Sequence, residues 1–328
     1  MPSTKSSNKP KTPSQAPQST APAAEPDAPR HGTPSHEWSF TAIGTEWWIG
    51  VYEQLEPLKL ARKLGRVQRR IAARIEAFDK HYSRFRPDSL ITRISNKAGT
   101  YELPPDGVPL FAFYRKLYDL TGGSVTPLIG QVLADAGYDA HYSFQSRPLR
   151  QPPQWDDVLT IRGRMLTAAQ PIVLDVGAAG KGYLVDIICN LLAGEGISKY
   201  CVDAGGDMRI HGLSGPLRIG LENPRNTGEV IGVASIQEGA LCGSAGTRRA
   251  WGEFHHIMDP KTLRPASGTA AVWVAAPTAL VADGLATALF FTPAATLQKH
   301  FDFAYCEVYD DNTMQYSTHF PAEFFTEG

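Results

Sequence analysis

Val281-Ala282-Asp283-Gly284-Leu285-Ala286-Thr287-Ala288-Leu289-Phe290 reads as a helix rich in Ala and Leu. Asp283 and Thr287 stand four residues apart, so they leave that helix on one face. A carboxylate and a hydroxyl on one face make a small, hard, all-oxygen donor set. Magnesium prefers such ligands, with phosphates and water completing its shell. The spacing alone also suits a helix N-terminal feature or a solvated pair, so its meaning depends on the segments upstream.

Residues 174–183, LDVGAAGKGY, read as a strand, a Gly/Ala-rich turn and a helix start. Small residues there let a phosphate approach the backbone, and a helix N-terminus offers free N–H groups. Lys181 could pair with that phosphate. The spacing matches neither a Walker A loop nor a GxGxxG fingerprint. VDAGGD (202–207) reads as a strand ending in a Gly-Gly turn. SAGTRR (244–249) sets two cations beside small residues. HHIMDP (255–260) places adjacent histidines on opposite faces of a strand, so at most one faces a site. A histidine beside a phosphate can act as acid or base near neutral pH.

The chain has 328 residues and a formal net charge of −1, so nothing global points to nucleic acid or an anionic membrane. No apolar run approaches the roughly 18–20 residues that span a bilayer. Cys189, Cys201, Cys242 and Cys306 are scattered, without zinc spacing or a disulfide framework, and read as reduced, buried thiols. Residues 1–36 are dominated by Pro, Ser, Thr, Ala and Gln and read as a disordered tail. They lack a secretory h-region, which gives a cytoplasmic expectation. Residues 37–328 form the expected folded domain.

Within it, residues 38–52 suggest two short strands or one kinked strand. Residues 58–82 suggest an amphipathic helix with Leu60, Leu64, Val67, Ile71, Ile75 and Phe78 on one face and a basic, solvated remainder. Further helices are expected over 90–94, 110–120, 129–134 and 180–193. Strands are expected over 172–174, 200–204, 217–221, 230–236, 256–258, 271–276 and 304–309, with a hairpin over 158–166. Short strands interspersed with helices favour an α+β fold, a mixed sheet with packed helices.

Taken in order, IGT (43–45), SRFRPDSLITRIS (83–95), TGGSVTP (121–127), LDVGAAGKGYLVD (174–186), VDAGGD (202–207), HHIMDP (255–260) and ADGLATALF (282–290) resemble the ApbE family of FAD:protein FMN transferases. The resemblance runs from about residue 43 to 291. It implies a T-fold-like flavin transferase domain that binds FAD with Mg2+ at its pyrophosphate. The FMN phosphoryl would pass to a Thr or Ser hydroxyl of an acceptor protein, and AMP would leave. By position it implies metal ligation by Asp283, Thr287 and the backbone carbonyl of Ala178. FAD contacts would come from Ile43, Ser124, Val125, Thr126, Asp175, Lys181 and Met258, and His256 would be the base.

Several positions depart from the family pattern. Ile43 replaces Met, Val125-Thr126-Pro127 replaces Phe-Asp-Pro, Thr262-Leu263 replaces Thr-Gly, and Gly243-Ser244-Ala245 replaces Thr-Ser-Gly. The Thr126 change removes a carboxylate from the loop expected to line the flavin site. Two alternatives follow: an FAD pyrophosphatase yielding FMN and AMP, or a non-catalytic FAD-binding protein of the same fold.

Overall fold

A computed structural model describes residues 33–53 and 57–325. The tail expected over 1–36 falls outside the described residues as far as residue 32. The folded region is α+β, as expected, and its strand pairings are antiparallel throughout the described residues where a mixed sheet was expected. The main sheet holds eight strands whose spatial order follows the chain. They are β1 (His36–Ala42), β2 (Thr45–Val51), β3 (Tyr200–Ala204), β4 (Asp207–His211), β5 (Gly239–Ala245), β6 (Thr269–Ala276), β7 (Ala304–Tyr309) and β8 (Met314–Tyr316).

Side-chain alternation along these strands divides the core in two. Trp47, Ile49, Val202, Ala204, Cys242 and Val272 join the large apolar cluster beneath the helices. Cys201, Ile210, Leu241 and Cys306 face the other way. The first face is covered by α1 (Pro57–Tyr82), α2 (Gly107–Leu120), α3 (Gly180–Gly194) and α4 (Ala279–Ala288). The second is covered by a three-stranded sheet of Leu217–Asn223, Asn226–Ile236 and Ala322–Phe324. A small sheet of Gly99–Glu102, Met165–Ala168 and Leu159–Arg162 completes the fold. All four cysteines are free and buried. Among the described residues no helix is long and apolar enough to cross a membrane.

Leu64, Val67, Ile71, Ile75 and Phe78 form the buried stripe of α1. The basic face of α1 is engaged as well as solvated. Lys63 donates to the Gly196 carbonyl, and Arg66 and Arg70 pair with Glu195, just beyond the C-terminus of α3. Cations placed there complement the carbonyl end of that helix. Ser89 caps the short helix Leu90–Asn96 by accepting from the Thr92 N–H at 3.0 Å.

Two strand expectations need correction. Residues 172–174 are not a strand among those assigned, and residues 256–258 are not one strand but a bend between Phe254–His255 and Met258–Asp259. β4 and β5 were not anticipated. β4 carries Asp207, Arg209 and His211 on alternate positions, and β5 is built of small residues. Neither shows the aromatic or β-branched run that marks a strand in sequence.

Candidate active site

A cavity of about 880 Å³ opens beside the junction of α3, α4 and the main sheet. Every site residue expected from the sequence lines it, from Ile43 on the β1–β2 turn to Thr287 on α4.

Three contacts fix α4. Thr278 caps it, accepting from the Val281 N–H at 3.4 Å. Asp186 of α3 accepts from the Ala279 and Leu280 N–H groups at 3.0 and 2.8 Å, and its carboxylate is held by Arg209 at 2.6 Å. Gly182 provides the third. A Cβ at this position would lie 2.2 Å from the Ala279 carbonyl oxygen and 2.6 Å from Asp283 Cβ. Its N–H donates to Asp283 Oδ2 at 2.8 Å. The glycine therefore allows the two helices to touch at the point where Asp283 must sit.

Asp283 is 5 % exposed. Burial is the main reason that its carboxyl is held well above the ordinary range; Asp207 adds to the rise and Lys181 opposes it. Thr287 Oγ1 donates to the Ala178 carbonyl at 3.4 Å, so two expected ligand oxygens are adjacent. Among the described residues there is no group of three His, Cys, Asp or Glu side chains able to hold a metal. The donor set is instead one carboxylate, one hydroxyl and one carbonyl. That all-oxygen chemistry fits a hard cation which draws its remaining ligands from substrate and water.

Lys181 is not free to reach a phosphate unassisted. Its ammonium pairs with the buried Asp207 carboxylate and donates to the Ala204 carbonyl at 3.0 Å. Burial works against the ammonium, but Asp207 and then Asp283 hold its pKa above the ordinary lysine value. Lys181 and Asp207 form an ion pair at the cavity wall, and Asp283 lies close enough to bear on both. Asp207 was read from sequence only as part of a turn.

Elsewhere in the cavity lining, Asp175 Oδ1 accepts from the Gly177 N–H at 2.6 Å, and Oδ2 accepts from Arg84 Nε at 2.5 Å. The Asp175 N–H donates to the Pro127 carbonyl at 2.7 Å, which ties the 124–127 loop to this wall. Thr126 is buried, and its Oγ1 caps the turn Pro127–Ile129 by accepting from the Leu128 N–H at 3.2 Å.

The two histidines separate cleanly. His255 Nδ1 accepts from the Ile257 N–H at 3.2 Å, so its Nε2 carries the proton donated to the Ala266 carbonyl at 3.1 Å. His256 lines the cavity, and its buried Nδ1 has no hydrogen-bond partner. Burial, helped by Arg249 and His255, drives the His256 pKa down to about 3, so the ring is neutral at physiological pH. To take a proton efficiently, this neutral ring needs its pKa brought back toward the operating pH, which a phosphate bound beside it would do. Arg249 is exposed at the cavity and makes no side-chain hydrogen bond or ion pair among the described residues.

Two departures from the family pattern sit on unusual backbone. Ile43 has φ 44° and Gly44 φ 74°, the pair of positive angles of a tight hairpin turn. A β-branched residue is strained there. Leu263 has φ 57°, in the left-handed region that glycine adopts freely.

Residues 43–306 match the model of the ApbE family. The chain is 25 % identical over 269 residues to the FAD:protein FMN transferase of Klebsiella pneumoniae, covering 75 % of each chain. It is 26 % identical over 244 residues to the Vibrio cholerae protein of that name, covering 68 % of this chain and 72 % of the relative. Against the Rhodobacter capsulatus protein of that name it is 29 % identical over 206 residues, which span only 39 % of that relative. In structure it resembles the ApbE protein of Thermotoga maritima (TM-score 0.73, 22 % identity, 88 % of this chain and 99 % of that one). It also resembles the flavin transferase ApbE of Vibrio cholerae (TM-score 0.71, 21 % identity, 87 % and 97 %).

Proposed function

The chain belongs to the ApbE family, and we propose that it is a magnesium-dependent FAD:protein FMN transferase acting on a Thr or Ser hydroxyl of an acceptor protein. The observation that carries this reading is the shared cavity. It faces Asp283, Thr287 and the Ala178 carbonyl with a neutral His256 whose Nδ1 is unpartnered.

Asp283, Thr287 and the Ala178 carbonyl would hold Mg2+ at the FAD pyrophosphate. When bound, the ion supplies charge neutralisation at the phosphates. Lys181, kept protonated by Asp207, forms an ion pair with it on the same wall. The acceptor hydroxyl oxygen forms a bond to the FMN phosphorus as the bond from that phosphorus to the AMP oxygen breaks. His256 accepts the hydroxyl proton, and AMP leaves with the bridging oxygen. The residues lining the cavity would orient the dinucleotide.

A second reading, a non-catalytic FAD-binding protein, is favoured by one observation. Thr126 stands where the family carries a carboxylate, and its hydroxyl is already committed to the Leu128 N–H. The test is to incubate purified protein with FAD and Mg2+, then follow AMP release with and without an acceptor bearing Thr or Ser. AMP formed together with a covalently flavinylated acceptor supports the transferase. AMP and free FMN indicate a pyrophosphatase. Tight FAD binding without AMP establishes the binder and overturns the proposal.

A further inference from the structure

Arg84 lies in the SRFRPDSLITRIS segment (83–95), where the sequence assigns it no role, yet it is the best-enclosed cation among the residues lining the cavity. Its side chain is 4 % exposed. Nε donates to Asp175 Oδ2 at 2.5 Å and Nη1 to the Tyr138 carbonyl at 2.6 Å. The guanidinium lies over two aromatic rings, with Cζ 4.2 Å from the Phe85 centroid and 5.0 Å from that of Tyr138. Nη2 is buried and has no partner. A guanidinium donor buried without an acceptor is costly, and Arg84, Phe85, Tyr138 and Asp175 all line the cavity.

We infer that Arg84 is a specificity-determining residue. It presents Nη2, beside the Asp175 carboxylate that it holds in place, to a planar ring edge carrying a hydrogen-bond acceptor next to an N–H donor. Three features select this chemistry over a phosphate. The Arg84 charge is already matched by Asp175, so a dianion would meet a locally neutral pair. The surrounding surface is aromatic, which suits a flat ring. Donor and acceptor are adjacent, which matches a two-point edge and gives directionality.

The inference rests on the proposed use of FAD, and either end of FAD offers such an edge. The flavin does so through its imide, a carbonyl beside N3–H. Adenine does so through a ring nitrogen beside its amino group. Ligand fragments separate the two. Riboflavin and N3-methylriboflavin differ only at the flavin edge. AMP and IMP differ at the purine edge, where hypoxanthine reverses the donor and acceptor.

The experiment measures the affinity of these four ligands for wild type, Arg84→Lys and Arg84→Gln by calorimetry, with thermal melting as the folding control. Wild type should prefer one natural fragment over its altered partner by ~10–100-fold, the range for a charge-assisted hydrogen bond. That preference should shrink to within a few-fold in both variants. Loss of the riboflavin preference supports the inference and assigns the edge to the flavin; loss of the AMP preference supports it and assigns the edge to adenine. A merely structural role for Arg84 would lower both affinities of a pair together and leave their ratio unchanged, which overturns the inference. Preferences unchanged in folded variants overturn it too, while the FAD reading stands. A wild type that binds none of the four and no FAD removes both the inference and the function on which it rests.

Discussion

Asp283→Asn separates the metal reading from a structural one, because the two make opposite demands on stability. Asparagine keeps the size of the side chain, and its Oδ1 can still accept the Gly182 N–H now held at 2.8 Å. Only the charge is lost. Without metal, that charge is a burden on the fold, since burial and the neighbouring Asp207 both favour the protonated carboxyl. The folded carboxyl therefore titrates above its unfolded value. Its contribution to stability is full below the unfolded carboxylate pKa and is lost as pH rises toward the folded one. Each unit of displacement corresponds to about 1.4 kcal/mol at neutral pH. Asp283→Asn should then be at least as stable as wild type without metal and should show a flatter dependence of Tm on pH through that window. With FAD present and Mg2+ at about a hundred times its Kd, wild type should gain ~2.7 kcal/mol, or roughly 5 °C in Tm. The variant should gain almost nothing, and its AMP release at limiting Mg2+ should collapse. Calorimetric melting and chromatographic AMP measurement, run on the same preparations, test both halves. A variant that retains the Mg2+-dependent rise refutes the ligand assignment. A variant that melts far below metal-free wild type shows that Asp283 serves Lys181 as a structural ion partner.

His256→Gln should lower AMP release by ~10²–10⁴ while the Kd for FAD stays within a few-fold, as measured by single-turnover kinetics and fluorescence titration. With the folded pKa near 3 and the unfolded value near 6.5, His256 contributes stability above pH 6.5 that is lost as pH falls toward 3. Acid melting should therefore be less steep in His256→Gln than in wild type, and the pH profile of kcat/KM, set by the free enzyme, should show no limb near 6.5 from this group. His255→Ala should cost ~1–3 kcal/mol in chemical denaturation by removing its bonds to Ala266 and Ile257, yet leave turnover per folded molecule intact. Thr126→Asp keeps a side chain that can cap Leu128 and adds a carboxylate to the cavity wall, so AMP release should rise; a slower variant would assign Thr126 itself to the site. Gly182→Ala should separate α3 from α4, lowering Tm and Mg2+ affinity together, because a Cβ would lie 2.2 Å from the Ala279 oxygen.

What the sequence made legible follows from which interactions are local. Asp283 and Thr287 share a face because helical period alone fixes it, and that much needs no tertiary information. The reason that the face matters, the contact at Gly182, is invisible in sequence, where a glycine inside a helix reads only as a weakness. Arg84 and Asp207 were passed over for a similar reason. One lies among several arginines and the other follows a Gly-Gly turn, and nothing local distinguishes a charge that will be buried from one that will be solvated. β4 and β5 escaped notice because a strand in the middle of a sheet can be built from small or alternating polar residues when its neighbours supply the packing. The histidine pair is more instructive. Alternation along a strand placed His255 and His256 on opposite sides, but the strand ends at His255, and His256 reaches the cavity from a bend. The separation of the two rings rests on the bonds that occupy both nitrogens of His255, which no periodicity reports. Leu263 shows the converse. Its backbone takes a left-handed angle that glycine adopts freely and a leucine rarely does. That angle carries a steric cost of about 1–2 kcal/mol, so the turn after Asp259 is held by its surroundings and not by local preference. Its Asp259 carbonyl accepts the Leu263 N–H at 2.9 Å, and the Ile257 carbonyl accepts the Ala266 N–H at the same distance. Both bonds brace the short segment that carries His256 and Met258 to the cavity.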